Sequence, residues 1–157
     1  MSAVFKPVYP TSGTALTCNN LGVAASSATV GAESTTFDNT TTRHSYVDIY
    51  VGVTTADGTI GSDKAVYFWV VPCVPNAAGD GYAYAGNGAG VDAGLTGTEG
   101  NFWSLGGVAV PTKQVLHDKV FRFYNPPPKF SVYGRNFSGI QLTAASITVI
   151  GYNDEVV

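Results

Sequence analysis

The sequence predicts an all-β protein: an antiparallel β-sandwich, jelly-roll-like, with an extended N-terminal arm and a long glycine-rich loop. Three observations predict it. Residues 46–54 alternate strictly, Val47, Ile49, Val51 and Val53 on one side and Tyr46, Asp48, Tyr50 and Gly52 on the other. That two-residue period marks a half-buried strand. Residues 64–71 read Lys-Ala-Val-Tyr-Phe-Trp-Val-Val, apolar on both faces, as in a strand covered on both sides. Elsewhere glycine and proline punctuate short apolar runs and no segment holds a helical period, so about seven or eight short strands fit a sandwich better than any helical fold.

In chain order, residues 1–13 contain Phe5, Pro7, Tyr9 and Pro10 with few charges and read as an extended arm whose aromatics need cover. Residues 14–18 suit a first short strand. Asn19-Asn20 and Leu21-Gly22 mark a turn, and residues 23–42, rich in Ala, Ser and Thr, read as loop with short strands. Asp57-Gly58 is a turn signal. Pro72 and Pro75 are expected to end the 64–71 strand, since proline donates nothing to a ladder. Residues 76–107 hold ten of the nineteen glycines and read as a loop, in which Tyr82, Tyr84, Phe102 and Trp103 act as anchors. Strands resume at 108–110 and 119–124, with His117-Asp118 as a turn before the second. Pro126-Pro127-Pro128 predicts an extended connection. Strands at 130–133 and 140–142 flank a turn at either 134–136 or 138–139, and 146–152 closes the domain. No repeat or linker divides the chain, so residues 1–157 are expected to form one domain.

Composition narrows the function. Hydrophobic residues make up 45% and charged residues 12%, against about 25% charged in an average soluble domain. A surface so poor in Lys and Glu suits contact with other proteins. The formal net charge is -3 and no two of the eight basic residues are adjacent, which argues against nucleic acid as a partner. The opening residues lack a charged segment followed by an apolar run, and no stretch has the roughly 20 apolar residues of a membrane span. No membrane partner is expected. Cys18 and Cys73 make no disulfide framework and read as buried free thiols.

No catalytic, cofactor-binding or metal-ligating residues are expected from the sequence. His44 and His117 are the only histidines, and neither lies in a nucleophile–base motif. Four zinc ligands at defined spacing are lacking. Asp57, Asp63, Asp80 and Asp92 follow no calcium-loop spacing, and solvated turn aspartates are preferred to a calcium site. Gly86-Asn87-Gly88-Ala89-Gly90 has the glycines of a phosphate loop but no following helix and no Lys-Ser/Thr. Eleven acidic residues leave no pair that can be assigned to sugar hydrolysis. Tyr82, Tyr84, Phe102 and Trp103 form the most plausible loop platform for sugar stacking, with core anchoring the commoner role of such residues.

Several stretches resemble a family of small structural proteins of tailed phages and prophages. They are Ala3-Val4-Phe5-Lys6-Pro7-Val8-Tyr9-Pro10 with Thr14-Ala15-Leu16-Thr17, Ala32-Glu33-Ser34-Thr35 with Asp38-Asn39-Thr40-Thr41, Asp63-Lys64-Ala65-Val66-Tyr67, and the hairpin-like ending from Tyr133 through Gly134-Arg135-Asn136-Phe137-Ser138-Gly139 to Leu142. Together they span about half of the chain. The glycine-rich middle and the Pro126–Pro128 run depart from the pattern. The resemblance implies a β-sandwich virion component, not an enzyme and without cofactors. A decoration or cement protein of the head follows as the expected role, bound to the major capsid protein on the capsid surface as a homotrimer. It would be made in the host cytoplasm, with Phe5 and Tyr9 in a subunit or capsid contact. A tail or fibre carbohydrate-binding module using Trp103 or Tyr84, or a neck or tail-tube component, is the alternative.

Overall fold

The computed structural model describes residues 5–8, 12–27, 30–75, 82–84, 89–96 and 101–156. They form two antiparallel sheets packed face to face. The first sheet contains β1 (Phe5–Val8), β2 (Thr14–Leu16), β5 (Tyr46–Thr55), β10 (Leu116–Tyr124) and β12 (Leu142–Val156). Its order is β1-β12-β5-β10, with β2 also beside β12. The second contains β3 (Val30–Glu33), β4 (Phe37–Asp38), β6 (Ala65–Pro75), β7 (Tyr82–Tyr84), β8 (Ala93–Thr96), β9 (Trp103–Ala109) and β11 (Lys129–Asn136). Its order is β7-β6-β11-β3-β8, with β4 also beside β11 and β9 also beside β6.

The period-2 pattern of β5 does what it predicts. Val47, Ile49, Val51 and Val53 are buried and meet Val66, Phe68, Val70, Phe130 and Val132 of the facing sheet in one core. Each such side chain removed from water contributes about 1.5–3 kcal/mol. The even positions of β6 supply this core, while its odd positions point to the other side of the sheet. There Val71 joins Leu95 and Tyr133 in a second apolar cluster, covered by Trp69, Tyr84 and Phe102. β6 is thus covered on both faces.

Several local expectations are corrected. β6 does not stop at Pro72 but runs to Pro75. The Ala65 carbonyl accepts the Phe137 N–H on the β11 side, and the Lys64 carbonyl accepts the Val110 N–H on the β9 side. Alternation therefore turns the Pro72 nitrogen towards the β9 side. Pairing with β9 ends there at Val70, and pairing with β7 starts only at Cys73. The missing donor falls in that gap and breaks nothing. The turn at Asn19-Asn20 is a single helical turn, α1 (Asn19–Gly22). Its leading N–H groups are satisfied from afar: Asp92 accepts from Asn19 N–H at 2.9 Å and Asn20 N–H at 3.0 Å.

Residues 76–107 are not a structureless loop. Their described part includes β7, β8 and the start of β9, which pair with β6 and β3. Ladder partners supplied by distant strands override the local freedom of glycine. His117 and Asp118 lie inside β10, not in a turn before it. Of the two turns proposed near 134–139, the second is observed. β11 continues through Asn136, and Leu142 opens β12. In the N-terminal arm, Phe5–Val8 pairs with Asn153–Val156 as an edge strand of its own chain; residues 9–11 lie outside the described residues.

Candidate interaction face

The outward side of the five-stranded sheet is built by the registers of β5, β10 and β12. Side chains alternate across a strand, so the pairings set up rows across the sheet. Tyr152, Tyr46 and Tyr124 form one row, and Ile150, Asp48 and Arg122 the next. Thr148, Tyr50 and Val120 follow, then Ser146, Gly52 and Asp118. Tyr46 stacks on Tyr152 with centroids 5.1 Å apart at 16°, and tilts against Tyr124 at 5.9 Å.

An ion pair braces these rings. Arg122 Nε donates to Asp48 Oδ1 at 2.7 Å, and a second guanidinium nitrogen to Oδ2 at 2.8 Å. This is the bidentate geometry that carries the most energy. The guanidinium carbon lies 5.3 Å from the Tyr46 centroid and 6.0 Å from that of Tyr152. Hydrogen bonding to Arg122 holds the Asp48 carboxyl below the ordinary range. Burial, with the neighbouring Asp48 charge, pushes the Tyr152 phenol up to about 12.

The pair has a consequence for acid stability. A carboxyl with a depressed folded-state pKa stabilises the fold at pH above its unfolded value, about 3.9. That stabilisation is lost as pH falls through the folded value. Asp38, held at about 2 by Thr40 and then Lys129, acts in the same direction, but its exposure keeps its share small. The melting temperature is expected to be flat from neutral pH to about pH 5 and to fall below about pH 4. Asp48→Asn should flatten that acid slope. A slope that survives Asp48→Asn unchanged would remove this pair as its origin.

Beyond the brace, the face is apolar and bare. Leu116 is 61% exposed, Val120 45%, Tyr124 65% and Tyr50 41%. Gly52 leaves a shallow pocket of about 150 Å³ between Tyr50, Leu116, Asp118 and Ser146. A Cβ at Gly52 would stand 2.8 Å from Ser146 Oγ and 3.2 Å from Leu116 Cδ1, so glycine keeps the pocket open. Antiparallel sheets usually turn a polar face to water. Here three of the five outward residues of β10 are large and apolar.

The residues singled out from the sequence are placed elsewhere. Tyr9 lies outside the described residues. Phe5 pairs with Val156 and Tyr82 with Pro75, as backbone positions in β1 and β7. The Tyr84 hydroxyl bonds the Thr36 hydroxyl, and its ring covers the second apolar cluster. Phe102 meets Tyr133 edge-on at 5.4 Å in that same cluster. Trp103 instead packs on Phe123 at 5.5 Å, in contact with the strands of the other sheet. Tyr84 and Phe102 therefore cover one cluster, and Trp103 packs apart from them against the other sheet. What the sequence reading missed is the row Leu116, Asp118, Val120, Arg122, Tyr124. Its alternation was available, but with the strand begun at residue 119 the pattern lost its first apolar member.

The groups with chemical potential are dispersed. His117 Nε2 meets the Thr112 carbonyl at 2.8 Å, and His44 sits near β12 against Gly151. Among the described residues no three His, Cys, Asp or Glu side chains converge as metal ligands. Asp57 pairs with Lys113, Asp63 accepts from the Tyr67 hydroxyl at 3.1 Å, and Asp92 caps α1; Asp80 lies outside the described residues. Cys18 and Cys73 are buried and free, and burial pushes the Cys18 thiol up to about 11. Among the described residues no helix is long and apolar enough to cross a membrane. The chain matches no protein-family model and no curated protein.

Proposed function

We propose that this chain is a non-enzymatic structural protein of a tailed-phage virion, a decoration protein that cements the head lattice by binding the major capsid protein as a homotrimer. The observation that carries the reading is the exposed face of Tyr50, Leu116, Val120 and Tyr124 around the Arg122–Asp48 brace. Interface centres are enriched in Tyr and Arg and depleted in Lys and Glu. An apolar sheet face ending in the edge strand β10 invites non-specific pairing unless a partner covers it. A lattice-bound protein meets that need by being covered. The phage-like stretches at both ends of the chain supply the kind of partner.

The test is a binding assay on heads lacking this chain, with electron cryomicroscopy of the reconstituted particles. Density at three-fold or quasi-three-fold capsid positions supports the proposal; density confined to the tail overturns it. Val120→Asp places a charge in the middle of the face. It is expected to weaken head binding by at least about tenfold, the effect of losing one central apolar contact and burying a charge. Its exposed site should leave stability within about 0.5 kcal/mol. Unchanged occupancy of Val120→Asp would move the contact elsewhere.

A second reading rests on the tyrosine row. Exposed Tyr124 beside Tyr46 is a surface on which a sugar ring can stack, so a glycan-binding module of a tail or fibre has a candidate site. It predicts glycan affinity that Tyr124→Ala removes and Trp103→Ala leaves intact.

A further inference from the structure

At one end of the sandwich, the turn 39–45 and the β10–β11 connection enclose a cavity of about 460 Å³, walled by Asn39, Arg43, His44, Asn125, Pro126 and Pro128. Nothing in the interaction face uses it. Two of its wall residues hold left-handed backbone, Arg43 at φ 52° and Asn125 at φ 49°. Such conformations cost an L-residue about 1 kcal/mol or more and gather at ligand sites. Both are pinned: Arg43 N–H donates to the Asn39 carbonyl at 3.0 Å, and Asn125 N–H to the Ser45 carbonyl at 2.9 Å.

The polar groups of the walls divide into those already used and those left for a ligand. Asn39 Oδ1 accepts the His44 N–H at 2.7 Å, and its Nδ2 donates to the His44 carbonyl at 3.3 Å. Asp38, on the same turn, is engaged by Thr40 and by Lys129 Nζ at 3.0 Å. Arg43 makes no ion pair among the described residues. His44 lies flat on Gly151, where a Cβ would overlap the imidazole, and its Nδ1 is buried with no partner. A buried orphan N–H is rarer than a buried orphan acceptor. The imidazole proton therefore belongs on Nε2, the ring's one remaining polar atom. The wall thus presents the Arg43 guanidinium, the His44 imidazole and the Asn125 side-chain amide beside the apolar rings of Pro126 and Pro128.

We propose that this cavity binds a carboxylate on a short apolar stem, gripped by Arg43 and His44 with the stem against the prolines. Guanidinium–carboxylate pairing is planar and charge-assisted, which favours a carboxylate over a neutral acceptor. Two sources share this chemistry: a free organic acid, and a Glu side chain of a partner protein. The inference stands apart from the virion proposal, since it uses other residues at another place in the fold.

The experiment is an NMR titration of the isotope-labelled full chain, reading the His44 imidazole signals. The probes are butyrate, a short peptide with one central Glu, and sulfate as a control. Saturable shifts at His44 with butyrate or the peptide, and not with sulfate, are the expected result. Tighter binding of butyrate marks a free acid as the ligand; tighter binding of the peptide marks a protein side chain. Arg43→Gly suits φ 52° and should leave the melting temperature unchanged or raised, while weakening binding by about tenfold or more. The absence of a saturable His44 shift with either carboxylate overturns the proposal. So do equal shifts with sulfate, or undiminished affinity in Arg43→Gly.

Discussion

Replacing Glu33 with alanine should cost about 3–5 kcal/mol of folding stability, as for other buried polar networks broken from one side. Glu33 is fully buried on β3. One carboxylate oxygen accepts the Ala89 N–H and the other the Gly90 N–H, each at 2.8 Å, and the Ser131 hydroxyl donates to the second as well. Alanine strands the buried Gly90 and Ser131 donors away from water, at about 1–3 kcal/mol for each one left unsatisfied, and opens a void. The damage then spreads along the segment. Gly90 adopts φ 66° beneath the Tyr84 ring, and its carbonyl accepts from Thr36 Oγ1 at 2.8 Å. Two residues on, Asp92 caps α1. Glu33→Ala should therefore loosen the cover of the second apolar cluster, seen as faster proteolysis around residues 89–92 along with a lower urea midpoint. Glu33→Gln keeps the shape but offers one acceptor oxygen, so it should fall between wild type and alanine. A urea midpoint for Glu33→Ala within about 1 kcal/mol of wild type would show that Glu33 does not clamp this segment.

The part of this fold legible in the sequence is the part set by alternation. The β5 pattern named its buried side residue by residue, and the doubly apolar run named β6 as covered on both faces. Legibility ended where long-range pairing decided the outcome. No local signal distinguishes Pro72 as a strand end from Pro72 in a gap between two partner strands. The helical turn at Asn19 depends on an aspartate seventy-three positions away. Glycine-rich residues become β7 and β8 only because β6 and β3 offer them ladders. The outward face is half legible: the alternation of residues 46–54 puts Tyr46, Asp48 and Tyr50 on the side opposite the buried valines. The partners that make them a face come from β10 and β12, and the register joining the three strands is a tertiary fact. Of the aromatics set among the glycines, Tyr84 and Phe102 cover the second apolar cluster, while Trp103 stays exposed on β9.

The same distinction ranks the aromatic residues of the second sheet. Phe68→Ala is expected to cost about 3–5 kcal/mol, the range for a fully buried aromatic removed from a core. Phe68 sits at the middle of β6, wholly buried and 6.4 Å from Phe121 of the facing sheet, so its loss leaves a cavity between the sheets. Its neighbour Trp69 points the other way and is half covered, with rings of Tyr133 at 5.6 Å and Tyr67 at 6.3 Å. A residue bounded on one side by solvent leaves less of a cavity, and Trp69→Ala should cost about 2 kcal/mol. Trp103, exposed and leaning on Phe123, should cost about 1 kcal/mol when truncated, the worth of one aromatic pair. The three variants are best compared by urea unfolding at constant m, where midpoint shifts read directly as stability. The order Phe68, Trp69, Trp103 follows from how fully each ring is enclosed: Phe68 lies between the sheets, Trp69 is half covered by rings on the opposite face, and Trp103 reaches Phe123 from the edge strand β9 with much of its surface in solvent. A Trp103 variant as unstable as the Phe68 variant would mean that the β9 edge of the sandwich, not the space between the sheets, holds the two layers together.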